Sequence, residues 1–424
     1  MNEESELDLK RSTAAVAEGF SSSAIRLLAV MILVRCLPLD DYGEYSSARG
    51  TLYIGAVLGT WGMGRLATKV YRGHPLREAL EEARGLRRAA PGIVILASLL
   101  TVIGVIGLHM VTETSSSIRI VTLVAVMAML PVHSLLAFFT SSASAHGAGV
   151  SANALNSFVY GLTYLATLGV WIWTVGSSLN VLDAASIVAI SETLLLVLVF
   201  VLLIRVEPKQ LRSGPRIFKT TAWMKTGASY ATANLGKNIS INGGVVILGW
   251  VHADAAGAGR LMAALSASSL LLVAAHYASQ IYLPVLADAI SSRKREAVKN
   301  VIRIWLKQVI SLLLPLAAAL IIAAPEILNF FGSDFREAKW SLILLVSNAL
   351  FSSVTTLTTP LYQYLENERS AARITSAGAA MGLAGMVVLG SYWSDTGIAL
   401  ATASSMILTG GYIAWLAWRQ LREW

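Results

Sequence analysis

The chain has 424 residues and a mean hydropathy of +0.63, with 55% apolar and only 14% charged residues. A soluble domain carries about 25% charged residues, so this chain cannot coat the two or three soluble domains that its length would otherwise imply. Apolar runs of about 20 residues recur, each long enough to span a bilayer, and Cys36 is the single cysteine. A soluble enzyme, a β-barrel, a disulfide scaffold and a cysteine metal cluster are thereby excluded.

In chain order, Met1 to Lys10 is acidic and polar. It lacks the basic start, short apolar run and cleavage site of a secretory signal, so the first span is expected to stay in the mature protein. Spans are predicted at 15–37, 45–68, 91–112, 119–140, 156–176, 185–205, 229–251, 258–284, 305–324, 340–365, 374–393 and 397–418. Each is read as a helix, because an isolated strand in lipid leaves its backbone unpaired. Pro131, Pro284, Pro315 and Pro360 are expected to kink their helices. Lys and Arg sort to one side. Lys69, Arg72, Arg77, Arg84, Arg87 and Arg88 follow the second span, and Arg293, Lys294, Arg295, Lys299 and Arg303 follow the eighth. The other side holds Arg119, Arg336 and Lys339 among acids such as Asp40, Asp41, Glu44 and Asp254. The positive-inside rule then places both termini in the cytoplasm. The basic loops chiefly set topology, and anionic lipid headgroups are candidate contacts for them.

The connection 206–228 carries Pro208, Gly214 and Pro215 and lies at the chain midpoint. It is read as a cytoplasmic linker between a six-helix lobe at 1–205 and another at 229–424. A shift of 214 residues lays Asp40 on Asp254 and Gly43 on Gly257. Because six is even, the two halves are expected to be parallel.

Ionisable side chains in spans cost about 2.5–3.5 kcal/mol on insertion scales, and by default they mark a pathway or a partner. Arg26 and Arg49 fall on the first and second spans, and Lys237 and Arg260 on the seventh and eighth. Glu18, Ser22 and Arg26 share a helix face, as do Tyr45, Arg49 and Tyr53. Asn234, Lys237, Asn238 and Asn242 form a further polar stripe, and Asn348, Ser352, Thr355, Thr359 and Gln363 another. Such stripes line helix contacts or a water-filled cavity. Arg35 and Arg65, at span ends, are read as snorkelling. Glu18 and Glu192 are the candidate coupling carboxylates, with a pairing or structural role open for each. His133 and His276 are read as packing residues. A cationic interior attracts anions and repels cations, while tyrosine and asparagine suit sugars. No Walker loop, paired metal ligands or nucleophile elbow is present, so no cofactor, metal or catalytic residue is assigned. Gly55 to Gly59 and Gly378 to Gly382 are GxxxG spacings for close helix packing.

Val34-Arg35-Cys36-Leu37-Pro38-Leu39-Asp40-Asp41-Tyr42-Gly43-Glu44-Tyr45 resembles the end of the first helix in polysaccharide flippases of the O-antigen type. Ile327-Leu328-Asn329-Phe330-Phe331-Gly332-Ser333-Asp334-Phe335, with Ala338, is similar to that family's step before the tenth helix. Tyr282-Leu283-Pro284 and Thr396 to Ala401 also fit. The resemblance implies the multidrug/oligosaccharidyl-lipid/polysaccharide exporter fold: an all-α polytopic membrane protein of about twelve transmembrane helices in two parallel six-helix lobes around a central cavity. It implies a non-enzymatic flippase of the bacterial inner membrane, moving undecaprenyl-diphosphate-linked oligosaccharide by alternating access for surface polysaccharide. Expected partners are that lipid-linked oligosaccharide, membrane lipids, a polysaccharide polymerase and a chain-length regulator, and no nucleic acid. Arg26, Arg49, Lys237 and Arg260 are expected to bind the diphosphate, beside Tyr45, Tyr53, Asn234 and Asn238. Lipid II flippases of this superfamily use arginines on the first, second and eighth helices, where Arg26, Arg49 and Arg260 stand. They carry two further C-terminal helices beyond the twelve spans predicted here, and a glycine replaces the motif's tyrosine within Ala256-Gly257-Ala258-Gly259-Arg260. The alternatives are a membrane-embedded polymerase or ligase and a drug/cation antiporter of the same fold. The short outside connection at 325–339 disfavours the first, and the missing acid cluster the second.

Overall fold

The structure is a computed structural model, and it describes residues 21–72, 77–112 and 116–423. Among these the chain is helical without a strand. The helices are α1 at 21–35, α2 Leu39–Thr60, α3 Met63–Arg72, α4 Arg77–Thr112, α5 Ile120–Met127, α6 Leu130–Ala143, α7 Gly149–Ala154, α8 Tyr160–Val175 and α9 Val181–Val206. They continue as α10 Thr220–Trp250, α11 Ala255–Ser291, α12 Arg295–Ile322, α13 Ala324–Phe331, α14 Lys339–Thr355, α15 Thr358–Tyr362 and α16 Glu368–Glu423. Among the described residues, eight helical segments are long and apolar enough to cross a membrane. The chain is an all-α polytopic membrane protein.

Where the predicted spans and the helices differ, the backbone gives the reason. The second span is two helices, because Trp61 and Gly62 both take left-handed φ (47° and 66°) and end α2. Pro131 sits at the start of α6 and marks the break from α5. α12 instead runs through Pro315. The last two spans are the arms of α16, which turns at Trp393 and Ser394 (φ 47° at Ser394). The connection at 325–339 is not an open loop. It folds as α13 and a 3₁₀ turn, Ser333–Ala338.

Contacts gather the chain into two compact units, Cys36–Ala256, and Gly257–Trp424 with the described residues before Cys36. In the first unit α2 is central, packed by α4, α5, α6, α9 and α10. Fourteen of its 22 residues are buried, which is why a helix carrying Glu44 and Arg49 is tolerated there. Its small residues allow the close approaches. Ser47 donates to the Val245 carbonyl at 3.1 Å, and Gly50 faces the Asn242 carbonyl and Val246 on α10. Gly59 faces α4 and α6, where Ser98 and Ser134 leave no room for a side chain, whereas Gly55 meets Thr101, Met127 and Leu130 at ordinary contact distance. This packing places α10, the predicted seventh span, in the same unit as residues 36–205 rather than with 257–424. α4 shows the opposite surface. Leu96, Leu100 and Ile103 are at least 60% exposed while Val94 and Ser98 are fully buried, as for a helix with one lipid-facing side.

The 206–219 segment is held rather than loose. Ile217 N–H donates to the Glu81 carbonyl, Arg84 to the Gln210 and Pro215 carbonyls, and Lys219 and Trp223 to Glu82. Glu207, with its side chain 6% exposed, pairs with Arg87 and Arg212.

In the second unit α14 packs against α12 and α16. The arms of α16 meet through Gly378, Gly382 and Gly385, opposite Thr409, Ser405 and Ala401. The two motifs quoted above touch here, since Arg35 Nε donates to the Phe330 carbonyl at 2.8 Å.

Candidate functional site

Arg49 lies halfway along α2 in the first unit. Its guanidinium carbon is 5.8 Å from the centroid of Tyr45 and 5.3 Å from that of Tyr53, one turn to either side. Nη2 donates to the Tyr160 hydroxyl on α8 at 3.4 Å. Tyr164, one turn on, stacks with Tyr160 at 6.1 Å and lies in the field of the same guanidinium. Among the described residues no carboxylate pairs with Arg49. Each cation–π contact contributes about 0.5–2 kcal/mol. Two of them are of the order of the insertion cost of an arginine, about 2.5–3.5 kcal/mol. The tyrosines therefore make the cation tolerable without neutralising it, and its charge is available to an anion.

The hydroxyls point the same way. Tyr45 and Tyr164 are 98% buried, and neither Oη has a hydrogen-bond partner. A buried polar atom left unpaired costs about 1–3 kcal/mol. Two orphan donors around an uncompensated guanidinium fit an oxyanion with several acceptor oxygens, such as a phosphate.

On the other side of Tyr53 lies His133 of α6, with ring centroids 5.4 Å apart. Its Nδ1 is 3.2 Å from both carboxylate oxygens of Glu192 on α9. The Glu192 side chain is 4% exposed and that of His133 24%. The sequence reading of His133 as a packing residue omits this pairing.

The other predicted site residues are not gathered here. Lys237 is exposed on α10 in the first unit, near half-buried Asn234 and Asn238, and the Asn238 amide donates to the Asn234 carbonyl at 3.2 Å. Arg26 is exposed on α1 in the second unit, and Glu18 lies outside the described residues. Arg260, also in the second unit, is compensated. Nη1 is 2.6 Å from Glu337, and Nε is 3.5 Å from Asp395, which accepts from Ser341 at 2.5 Å. Side chains near His276 are outside the description.

Sequence reasoning missed Tyr160, Tyr164 and the His133–Glu192 pair. The two tyrosines are four residues apart, the same step that relates Tyr45, Arg49 and Tyr53, a signal that was available. His133 and Glu192 are 59 residues apart on different helices, so no spacing could join them.

No family model matches the chain, and no curated protein matches it. Solved structures do. An inward-facing multidrug resistance MATE family transporter of the MOP superfamily superposes with a TM-score of 0.71 at 13% identity, covering 95% of each chain. The lipid II flippase MurJ in an inward closed conformation gives 0.69 at 13% identity, covering 95% of this chain and 87% of that one. A MOP superfamily transporter from Pyrococcus furiosus, with a binding pocket described as reversed in polarity, gives 0.68 at 12% identity, covering 98% and 95%. With TM-scores of 0.68 to 0.71 over 95–98% of its length, the chain has the fold of the MOP superfamily transporters.

Proposed function

We propose that the protein is a flippase that carries undecaprenyl-diphosphate-linked oligosaccharide repeat units across the bacterial inner membrane by alternating access, with both termini cytoplasmic. The observation that carries this reading is the uncompensated Arg49 guanidinium inside a tyrosine sleeve with two orphan hydroxyls. Arg49 takes a phosphate of the diphosphate, and the phenol O–H groups of Tyr45 and Tyr164 donate to its oxygens. Tyr53 and Tyr160 shape the sleeve. Lys237, with Asn234 and Asn238, offers donors to the glycan or the second phosphate, and Arg26 is a separate phosphate candidate on its own helix. Arg260 is assigned a structural part, because two acids hold it. No bond is made or broken, so the protein acts as a transporter and not as an enzyme.

The test is complementation of surface-glycan display in a flippase-deficient strain, with membrane abundance measured in parallel. A charge-assisted contact contributes about 1.5–3 kcal/mol, so Arg49→Ala weakens binding about ten- to a hundredfold and abolishes display at normal abundance. Arg49→Lys restores part of it, since an ammonium lacks the bidentate fork. Full activity of Arg49→Ala at normal abundance overturns the reading.

A second reading has one observation in its favour. The buried Glu192 carboxylate suits a drug/cation antiporter of the same fold. In that case Glu192→Gln abolishes export of an organic cation and Arg49→Ala does not. The flippase reading requires Arg49 and predicts no cation export.

A further inference from the structure

Two helices of the first unit each end a lipid-facing stripe with an arginine. On α4, Arg88, Gly92, Ile95 and Leu99 follow at steps of four, three and four residues and share one helix face. On α9, Leu194, Leu198, Val201 and Arg205 follow at the same steps and end the stripe on the arginine. The five apolar side chains are 40–50% exposed, as on a helix side that meets acyl chains. Arg88 and Arg205 are exposed, and among the described residues no carboxylate pairs with either.

The nearby acids are engaged by other cations. Glu207 pairs with Arg87 and Arg212, and Glu82 with Lys219. These contacts also bring the two stripes to one place, because Arg87 adjoins Arg88 and Glu207 is two residues beyond Arg205. Arg84, one turn before Arg88 on the same face, donates to the Gln210 and Pro215 carbonyls, and Arg212 donates to the Ile204 carbonyl at the end of α9. The 206–219 segment is thus a strap across the ends of α4 and α9. It presents Lys209 and Arg216, both exposed, and Phe218, which is 55% exposed.

We propose that Arg88 and Arg205 form a binding site for an anionic phospholipid of the adjoining leaflet, with its acyl chains along the α4 and α9 stripes and its phosphate at the two guanidinium groups. Lys209 and Arg216 add to the positive potential there. In the orientation proposed above this is the cytoplasmic leaflet. The site is distinct from the Arg49 sleeve and does not depend on the flippase reading. Topology accounts for the sign of the charge at this end of the helices. It does not account for the placement of the acids, which answer the cations facing the strap and leave uncompensated the two that continue the lipid-facing stripes. A soluble acidic partner would meet Lys209 and Arg216 on the strap. A headgroup is the anion that stands where an acyl-chain surface ends, and guanidinium groups match phosphate oxygens in fork geometry. Each basic side chain near an anionic lipid surface contributes about fivefold in affinity, so the pair gives roughly thirtyfold.

The experiment is native mass spectrometry of the purified full-length protein in detergent, titrated with phosphatidylglycerol and separately with phosphatidylcholine, which has the same phosphate but no net charge. The half-loss temperature on heating is recorded for every variant. Wild type is expected to bind its first phosphatidylglycerol about thirtyfold more tightly than phosphatidylcholine. Arg88→Gln with Arg205→Gln should lose that preference, each single variant should lose about fivefold, and Arg88→Lys with Arg205→Lys should keep most of it. Arg293→Gln with Lys294→Gln removes the same charge from the connection after α11 and should keep the preference, as should Arg49→Ala. Should the double glutamine variant fail to fold, the single variants carry the test. Equal binding of the two lipids by wild type overturns the proposal, as does a preference unchanged in the glutamine variants. An equal loss in the Arg293 and Lys294 variant reduces the effect to net charge and overturns the site, and a loss in Arg49→Ala places the lipid in the sleeve instead.

Discussion

Arg119→Ala should destabilise the protein more than Glu44→Gln, although the two residues form one ion pair. The Glu44 side chain is 6% exposed and that of Arg119 63%. Glu44 accepts the Arg119 backbone N–H at 2.8 Å and its Nε at 2.7 Å, and Nη2 of Arg119 also reaches Asp41 at 2.9 Å. Removing the arginine side chain strands a carboxylate where water scarcely reaches it, and a broken buried pair costs about 3–5 kcal/mol. The surviving backbone hydrogen bond brings this to the low end, about 3 kcal/mol. Glutamine at position 44 keeps an acceptor for that N–H, and the released guanidinium is already mostly in water beside Asp41. Its exposed pairing contributes about 0–1 kcal/mol, so Glu44→Gln costs on the order of 1 kcal/mol. The difference of about 2 kcal/mol is readable as the temperature at which half of the detergent-purified protein is lost from the monodisperse peak after heating. A Glu44→Gln variant as unstable as Arg119→Ala, or more so, refutes the assignment of the burial penalty to Glu44.

The break between α2 and α3 offers a second measurement. A methyl group at Gly227 would overlap the Trp61 carbonyl, whose own indole donates to the Met224 carbonyl at 3.1 Å. Gly227→Ala should therefore cost about 1–3 kcal/mol as an overpacking change and lower the half-loss temperature, while Gly92→Ala, with open space around it, should not. For topology, reporter fusions after residues 80 and 295 should read cytoplasmic, and those after residues 181 and 333 periplasmic. Inversion at two of these sites refutes the proposed orientation.

Much of the fold was legible because bilayer spans are written in composition. α9 and α12 are apolar over whole turns; the predicted limits 185–205 fall inside α9, and 305–324 overrun the end of α12 by two residues. The polar helices were legible for another reason: Tyr45, Arg49 and Tyr53 recur every fourth residue and share a face whatever surrounds them. What encloses that face was not legible. Tyr160 and His133 come from helices whose neighbours depend on packing, and packing is set by small residues such as Gly50 and Gly59 acting at a distance in sequence. The grouping of α10 with α2 has the same origin. A midpoint linker and a 214-residue shift describe the order of the chain, but Ser47 and Gly50 decide which helix α2 lies against. Single residues also set the breaks at Trp61 and Ser394 through left-handed backbone, which hydropathy does not register.

Counting cations in membrane helices does not distinguish a proposed ligand site from an ion pair, and counter-ions offer a criterion. Glu44 is the sixth residue of α2 and Arg260 the sixth of α11. The first meets Arg119, just before α5, and the second meets Glu337, just before α14. Each unit thus ties its own helix to its own connection by an ion pair, with the charges exchanged. Arg260 also lies 3.5 Å from the buried Asp395, so two acids already answer its charge, and we assign it to holding the chain rather than to a ligand. Arg49 differs. Its neighbours are phenols, whose ring faces favour a cation and whose O–H groups are donors to an anion. A carboxylate placed at position 49 would face the same rings with the wrong sign. Arg49→Glu should therefore be more harmful than Arg49→Ala in both abundance and glycan display, whereas swapping Arg260 and Glu337 together should still lower abundance, because the new carboxylate at position 260 faces the buried Asp395. An Arg260→Glu, Glu337→Arg double variant as abundant as native would show that the Asp395 contact contributes nothing to holding Arg260.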